Sequence, residues 1–252
     1  MNKSSPVVFL VDVDDTLLDN DRIQSDFKRH FESEFGARCG ARYWTIQEEL
    51  FNQLGYRDYL EALQRFRVEH PYEPRLITAA NFLVDYPFAD RLYPRALEVL
   101  KRLREWGQTV ILTDGDIIYQ PRKVQHTGIF KAVEGQVLIY VHKEKALEDI
   151  KHRYPAEHYV LIDDKLRILT AFKKAWGNRI TTVFPRQGGF AHDPNVLAAY
   201  PAADIAVERI SDLLSCDLPD LLASRQSAAN DNSESTSTPI VFSGKAGADN
   251  RT

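Results

Sequence analysis

The chain has 252 residues, 44% of them hydrophobic and 11% aromatic, with a formal net charge of -4. That length and apolar content allow one α/β domain with a sizeable insertion or two modest domains, and the lack of a long basic run argues against binding nucleic acid. No stretch approaches the roughly 20 apolar residues of a membrane span, the opening MNKSSPVVFLVDVDD is not patterned as a signal peptide, and the distant Cys39 and Cys216 lack metal-type spacing, so a reduced, soluble, cytoplasmic protein is expected.

The first predicted strand covers residues 7–11. It is a continuous apolar run rather than an alternating one, the pattern of a parallel strand covered on both faces. Residues 20–90 are helix-like and aromatic (FKRHFESEFG, RYWTIQEELFNQLG, YRDYLEALQRFRVEH) and too long for one crossover. They predict a separate helical insertion of three to five helices, punctuated by Pro71, Pro74 and Pro87. Residues 94–106 put Ala96, Leu97, Leu100 and Leu103 on one stripe, and Gly107 follows as a stop. Further strands are predicted over 109–112, 137–141, 159–162 and 181–184, with helices over 144–154 and 166–176 between them. Strands alternating with helices give a doubly wound, Rossmann-like α/β fold. From about residue 224 the composition turns to Ser, Asn, Asp, Ala and Gly, which predicts a disordered tail over 224–252.

Polar groups follow the strands. Asp12, Asp14 and Asp15 come after the first; Thr113, Asp114, Gly115 and Asp116 end the second; His142 and Lys143 follow the third; Asp163 and Asp164 follow the fourth. In open parallel sheets, ligands bind at the carboxyl ends of the strands. Parallel neighbours would gather these groups in one crevice, where clustered carboxylates need a cation among them. Mg²⁺, which takes carboxylates together with phosphate and water, is the natural candidate.

The run Val11-Asp12-Val13-Asp14-Asp15-Thr16-Leu17 resembles the first motif of the haloacid dehalogenase-like hydrolases, Asp-x-Asp-x-Thr-Leu after an apolar strand. Thr113, Lys143 and the Asp163-Asp164 pair resemble the second, third and fourth motifs, and Leu92-Tyr93-Pro94 with its leucines resembles the helix before the second. The resemblance covers roughly residues 7–190 and implies a core of 1–19 and 90–223 with strand order 3-2-1-4-5, and a helical cap over 20–89. It further implies Asp12 as nucleophile, Asp14 as general acid and base, Thr113 as donor to a phosphoryl oxygen, and Lys143 as the neutralising cation. Mg²⁺ would be held by Asp12, the backbone carbonyl of Asp14, and Asp163 and Asp164, either of which could be the main ligand. The substrate expected is a small phosphate monoester. Asp14 favours phosphoryl transfer over the dehalogenase branch, which usually lacks this second Asp.

Lys145 and Lys123 are alternatives to Lys143, whose distance from its strand favours it. Asp116 is a further polar neighbour, and His142 is a redundant base beside Asp14. Arg22 and Arg57 could read a substrate anion, and Arg186 could border the site. The aromatic set Tyr43, Trp44, Phe51, Tyr56, Tyr59 and Phe66 is expected to form the core of the insertion. Rival readings are a phosphomutase, a phosphonate-cleaving enzyme with Lys28 as its Schiff-base lysine, a 2-haloacid dehalogenase, and a non-enzymatic binding module.

Overall fold

Strand β1 (Ser5–Val11) runs through the middle of a parallel sheet, paired on one side with β2 (Gln108–Asp114) and on the other with β4 (Ala156–Ile162). The structure, a computed structural model, describes residues 5–216 and 240–242. Its sheet order is β3-β2-β1-β4-β5-β6-β7, with β3 (Val137–Tyr140), β5 (Ile180–Pro185), β6 (Ile205–Val207) and β7 (Ile240–Phe242). Every pairing is parallel, and the expected 3-2-1-4-5 arrangement forms its first five members. Strands β6 and β7 are additions, and at three residues each they are too short to stand out as apolar runs. Ile240–Phe242 correct the expectation of a disordered tail at those positions; most of 224–252 lies outside the described residues.

Side chains alternate across β1. Phe9 and Val11 enter one core, and Val8 and Leu10 enter the other. Each fully buried side chain of this kind is worth roughly 1.5–3 kcal/mol, so both faces of the sheet must be covered. Helix α5 (Ala96–Trp106) covers the first face with Ala96, Val99, Leu100 and Leu103, whereas Leu97, expected on that stripe, is 37% exposed. Gly107 then joins α5 to β2 where a Cβ would lie 2.6 Å from the Val7 carbonyl oxygen, so only glycine lets the chain pass so close to β1. The opposite face is covered by α9 (Leu166–Trp176), whose Leu166, Ile168, Leu169, Phe172 and Trp176 are buried.

Between β1 and α5 the chain forms α1 (Asn20–Phe35), α2 (Ala37–Leu54), α3 (Tyr59–Glu69) and α4 (Leu76–Val84). Asp19 caps α1 by accepting from Arg22 N, and Asp58 caps α3 by accepting from Glu61 N. Their shared core is aromatic. Phe27 stands edge-on to Phe31, Tyr43 and Tyr59 at centroid distances of 5.8, 5.4 and 6.1 Å, and it is continuous with the core on the α5 face of the sheet.

After β2 comes α6 (Tyr119–His126), which no apolar periodicity announces and which contains Pro121. The proline sits in the first turn, where no intrahelical N–H bond is lost. Short α7 (Ile129–Ala132) precedes β3. The helix expected over 144–154 is split into a 3₁₀ turn at Lys143–Lys145 and α8 (Leu147–Arg153). Short α10 (Pro194–Ala199) joins β5 to β6. Among the described residues no helix is long and apolar enough to cross a membrane.

Candidate active site

The carboxyl ends of β1, β2 and β4, with the loop after β3, bring the sequence-predicted groups together. Asp12 follows β1 directly, and its N–H donates to the Ile162 carbonyl of β4 at 3.0 Å. Lys143, 99% buried, puts Nζ 2.6 Å from Asp12 Oδ1 and 2.6 Å from Asp163 Oδ2, and also donates to the Leu112 carbonyl at 3.3 Å. Burial alone would push this ammonium down; Asp12 and Asp163 outweigh that and hold it above the ordinary lysine range. Its backbone is fixed as well, because Lys143 N donates to Asp114 Oδ1 at 2.7 Å. Burial raises the Asp114 carboxyl to about 6, against the pull of Lys143.

Asp12, Asp163 and Asp164 offer carboxylate oxygens that all lie within 4.8 Å of one another. The two neighbours that follow β4 differ. Asp163 accepts from Lys165 N at 2.8 Å as well as pairing with Lys143. Asp164 is fully buried, yet neither of its carboxylate oxygens has a hydrogen-bond donor, and the nearest cation, Lys165 Nζ, stands 3.9 Å from Oδ1. Burial drives the Asp164 carboxyl well above its ordinary range. Two orphaned acceptors beside two more carboxylates have the donor chemistry that a hard divalent cation requires, so the residues present fit Mg²⁺.

Thr16 and Gln120, which the motif reading gave no role, order this floor. The Thr16 hydroxyl accepts from Asp164 N at 3.1 Å and stands 3.5 Å from Asp12 Oδ2. Gln120 Nε2 donates to Thr113 Oγ1 at 2.8 Å, and the Thr113 hydroxyl in turn donates to the Asp114 carbonyl at a long 3.4 Å. Both Gln120 and Thr113 are buried. Asp15 accepts from the N–H groups of Asn20 and Asp21, and burial with the nearby Asp21 and Asp14 charges raises it to about 7.

Asp14 turns to a different partner. Both of its oxygens lie 2.9 Å from Lys123 Nζ, so Lys123, weighed as a substitute for Lys143, serves another carboxylate. Asp14, Lys123 and Asp116 line a cavity of about 460 Å³ together with Phe51, Tyr56 and Arg57 from the insertion. This divides the aromatic set: Tyr43 and Phe66 are core, as expected, with Trp44 packed against it, Phe51 and Tyr56 face the cavity, and Tyr59, itself buried in the core, also lines the cavity. Gly55 leads into this stretch with φ +78°, in the left-handed region, and a Cβ there would meet the His142 ring at 2.8 Å. His142 thus supports the loop between α2 and α3. Lys145 also lines the cavity, while Asp116 accepts from Ile118 N and Tyr119 N at the start of α6. Arg22 pairs with Asp26, Arg186 pairs with Glu208, and Lys28 is exposed; none of the three lines the cavity.

A family model described as haloacid dehalogenase-like hydrolase matches residues 7–175. A protein of Burkholderia xenovorans LB400 described as a haloacid dehalogenase-like hydrolase is 55% identical, with 86% of this chain and 98% of that one covered and a TM-score of 0.82. The magnesium-bound hydrolase YfnB of Bacillus subtilis shares the fold at 18% identity, with 85% and 97% covered and a TM-score of 0.57. The L-2-haloacid dehalogenase of Xanthobacter autotrophicus shares it at 19% identity, with 86% and 98% covered and a TM-score of 0.53. None of the curated proteins compared matches.

Proposed function

The chain belongs to the haloacid dehalogenase-like hydrolases, and from that premise we propose that it is a Mg²⁺-dependent phosphatase of small phosphate monoesters. One observation carries the reading. Asp164 is buried with two unpartnered oxygens, within 4.8 Å of oxygens of Asp12 and Asp163. Asp12, Asp163, Asp164 and the Asp14 carbonyl would hold the ion, with Asp164 the more direct ligand, because Asp163 is already engaged by Lys143 and Lys165 N. When bound, Mg²⁺ supplies the positive charge that a phosphoryl group among carboxylates requires.

The residues divide the work in two displacements. An Asp12 oxygen attacks phosphorus, the bond to the ester oxygen breaks, and Asp14 gives that oxygen its proton. The product is an aspartyl-phosphate on Asp12. Water then attacks phosphorus, Asp14 takes the water's proton, and the Asp12–phosphorus bond breaks to release inorganic phosphate. Thr113, its hydroxyl turned by Gln120, donates to a phosphoryl oxygen. Lys143, 2.6 Å from Asp12 Oδ1, offsets the charge of the nucleophile and of the phosphoryl group. Asp14 supports this chemistry over halide displacement, which has no leaving oxygen to protonate.

The test is phosphate release from a panel of phosphate monoesters with Mg²⁺, with a chelator, and with Asp12→Asn. Release that needs Mg²⁺ and falls by about 1,000-fold or more in the variant is expected. Release surviving in Asp12→Asn, or none from the wild type across the panel, overturns the reading.

A further inference from the structure

Lys123 is a lysine buried to 98% at the edge of the candidate site, and neither the metal cluster nor the Lys143 pair accounts for it. Its ammonium has three hydrogen atoms to give. They are taken by Asp14 Oδ1 and Oδ2, both at 2.9 Å, and by Asn20 Oδ1 at 2.8 Å. The Tyr119 ring lies beneath it, 4.9 Å from Nζ to the centroid, so the group has little freedom to turn elsewhere. Asn20 is the first residue of α1, and its own N–H is held by Asp15 at 2.9 Å.

Helix α6, which carries Lys123, grips the insertion at two more points. Arg122 donates to the Val84 carbonyl at the end of α4 at 2.7 Å and pairs with Asp85 at 3.2 Å. The Tyr119 ring stands 5.5 Å from that of Tyr59 on α3. One helix of the sheet domain therefore touches the start, middle and end of the insertion and sets a cation on Asp14.

Resting on the phosphatase reading, we propose that Lys123 is the positioning residue for Asp14: its ammonium, itself anchored by Asn20, fixes the Asp14 carboxylate for proton transfer to and from the ester oxygen and the attacking water. A carboxylate beside other carboxylates swings away from them unless a cation holds it, and a misplacement of about 1 Å can cost on the order of 100-fold in rate.

The second displacement exposes this role. 4-Nitrophenolate leaves without needing a proton, so formation of the aspartyl-phosphate survives loss of Asp14 placement, while its hydrolysis does not. In full-length Lys123→Met acting on 4-nitrophenyl phosphate, kcat is expected to fall by about 100-fold and kcat/KM by less than about 5-fold. A burst of roughly one 4-nitrophenolate per enzyme should precede the slow phase. Lys123→Arg, which keeps a cation within reach of Asp14, should recover most of kcat. Equal falls in kcat and kcat/KM without a burst, or no change, overturn the assignment. If Lys123→Met does not fold, Asn20→Ala removes only the anchor of the ammonium. It should lower kcat by about 5-fold with kcat/KM nearly unchanged, and equal losses again overturn the assignment. A wild type inactive on every ester overturns the phosphatase reading and this assignment together; an active wild type with equal losses overturns this assignment alone.

Discussion

The carboxyl edge of the sheet and the core of the helical insertion are both buried, but they are held by opposite means. At the sheet edge Asp12, Asp163, Asp164 and Lys143 are each at most 2% exposed, and every distance that matters is a polar one. In the insertion Phe27, Phe31, Tyr43 and Phe66 are fully buried and meet ring to ring, while the charged residues form surface pairs such as Arg42–Glu69 and Arg65–Glu61. Ring packing stabilises the fold without reference to chemistry. Buried charge does the reverse, since each unpaired carboxylate costs folding energy that only a bound cation returns. Mutation should therefore change stability with opposite signs in the two regions.

The largest effect should come from the rings. Phe31 is fully buried between Phe27, Phe35, Tyr43 and Phe66 and does not line the cavity. Phe31→Ala is expected to destabilise the protein by about 3–5 kcal/mol in chemical denaturation, with kcat of the folded enzyme within about 3-fold of wild type. A large fall in kcat at unchanged stability would erase the contrast between the regions.

At the sheet edge the sign should invert. Asp164→Asn replaces a buried carboxyl whose oxygens have no donor and keeps the side chain's size. The new amide can donate toward Asp12 and Asp163, whose oxygens lie within 4.8 Å. In chelator the variant should be more stable than wild type by about 1–3 kcal/mol. Added Mg²⁺ should raise the melting temperature of wild type and leave that of the variant unmoved. Melting curves with and without the ion decide it, and a variant less stable than wild type in chelator would refute the idea that Asp164 awaits a cation.

How much of this was legible in the sequence follows from the same contrast. Asp12, Thr113, Asp163 and Asp164 could be found because each follows a continuous apolar run, and such runs mark strands whose ends must converge in a parallel sheet. Lys143 could be ranked above Lys123 by its distance from a strand, and the structure puts its ammonium 2.6 Å from Asp12. The roles of Gln120 and Lys123 could not be found. Their helix, YQPRKVQH, carries no apolar stripe, and Lys123 reaches Asp14 across 109 residues of chain. Leu97 was misassigned because neighbouring helix positions are 100° apart, and Val99 takes the buried place instead. The aromatic residues of the insertion could not be sorted either. Composition reports that rings are buried, while their choice between core and cavity depends on how the loop after α2 sits on His142.

That loop gives the smallest and most selective prediction. Arg57 stacks over Phe51 at 5.2 Å, pairs with Glu48 at 2.9 Å, and lines the cavity from the insertion side. On the phosphatase reading, a cation fixed there would hold a substrate anion in the ground state and the transition state alike. Arg57→Ala should therefore raise KM by about 5–10-fold for an ester bearing a second anionic group and leave kcat within about 2-fold. For an uncharged alkyl or aryl phosphate KM should barely move. Steady-state kinetics on the two ester classes separate the outcomes: an equal rise in KM for both would make Arg57 a support for the loop, and a fall in kcat alone would draw the boundary of the reacting region wider than the sheet edge.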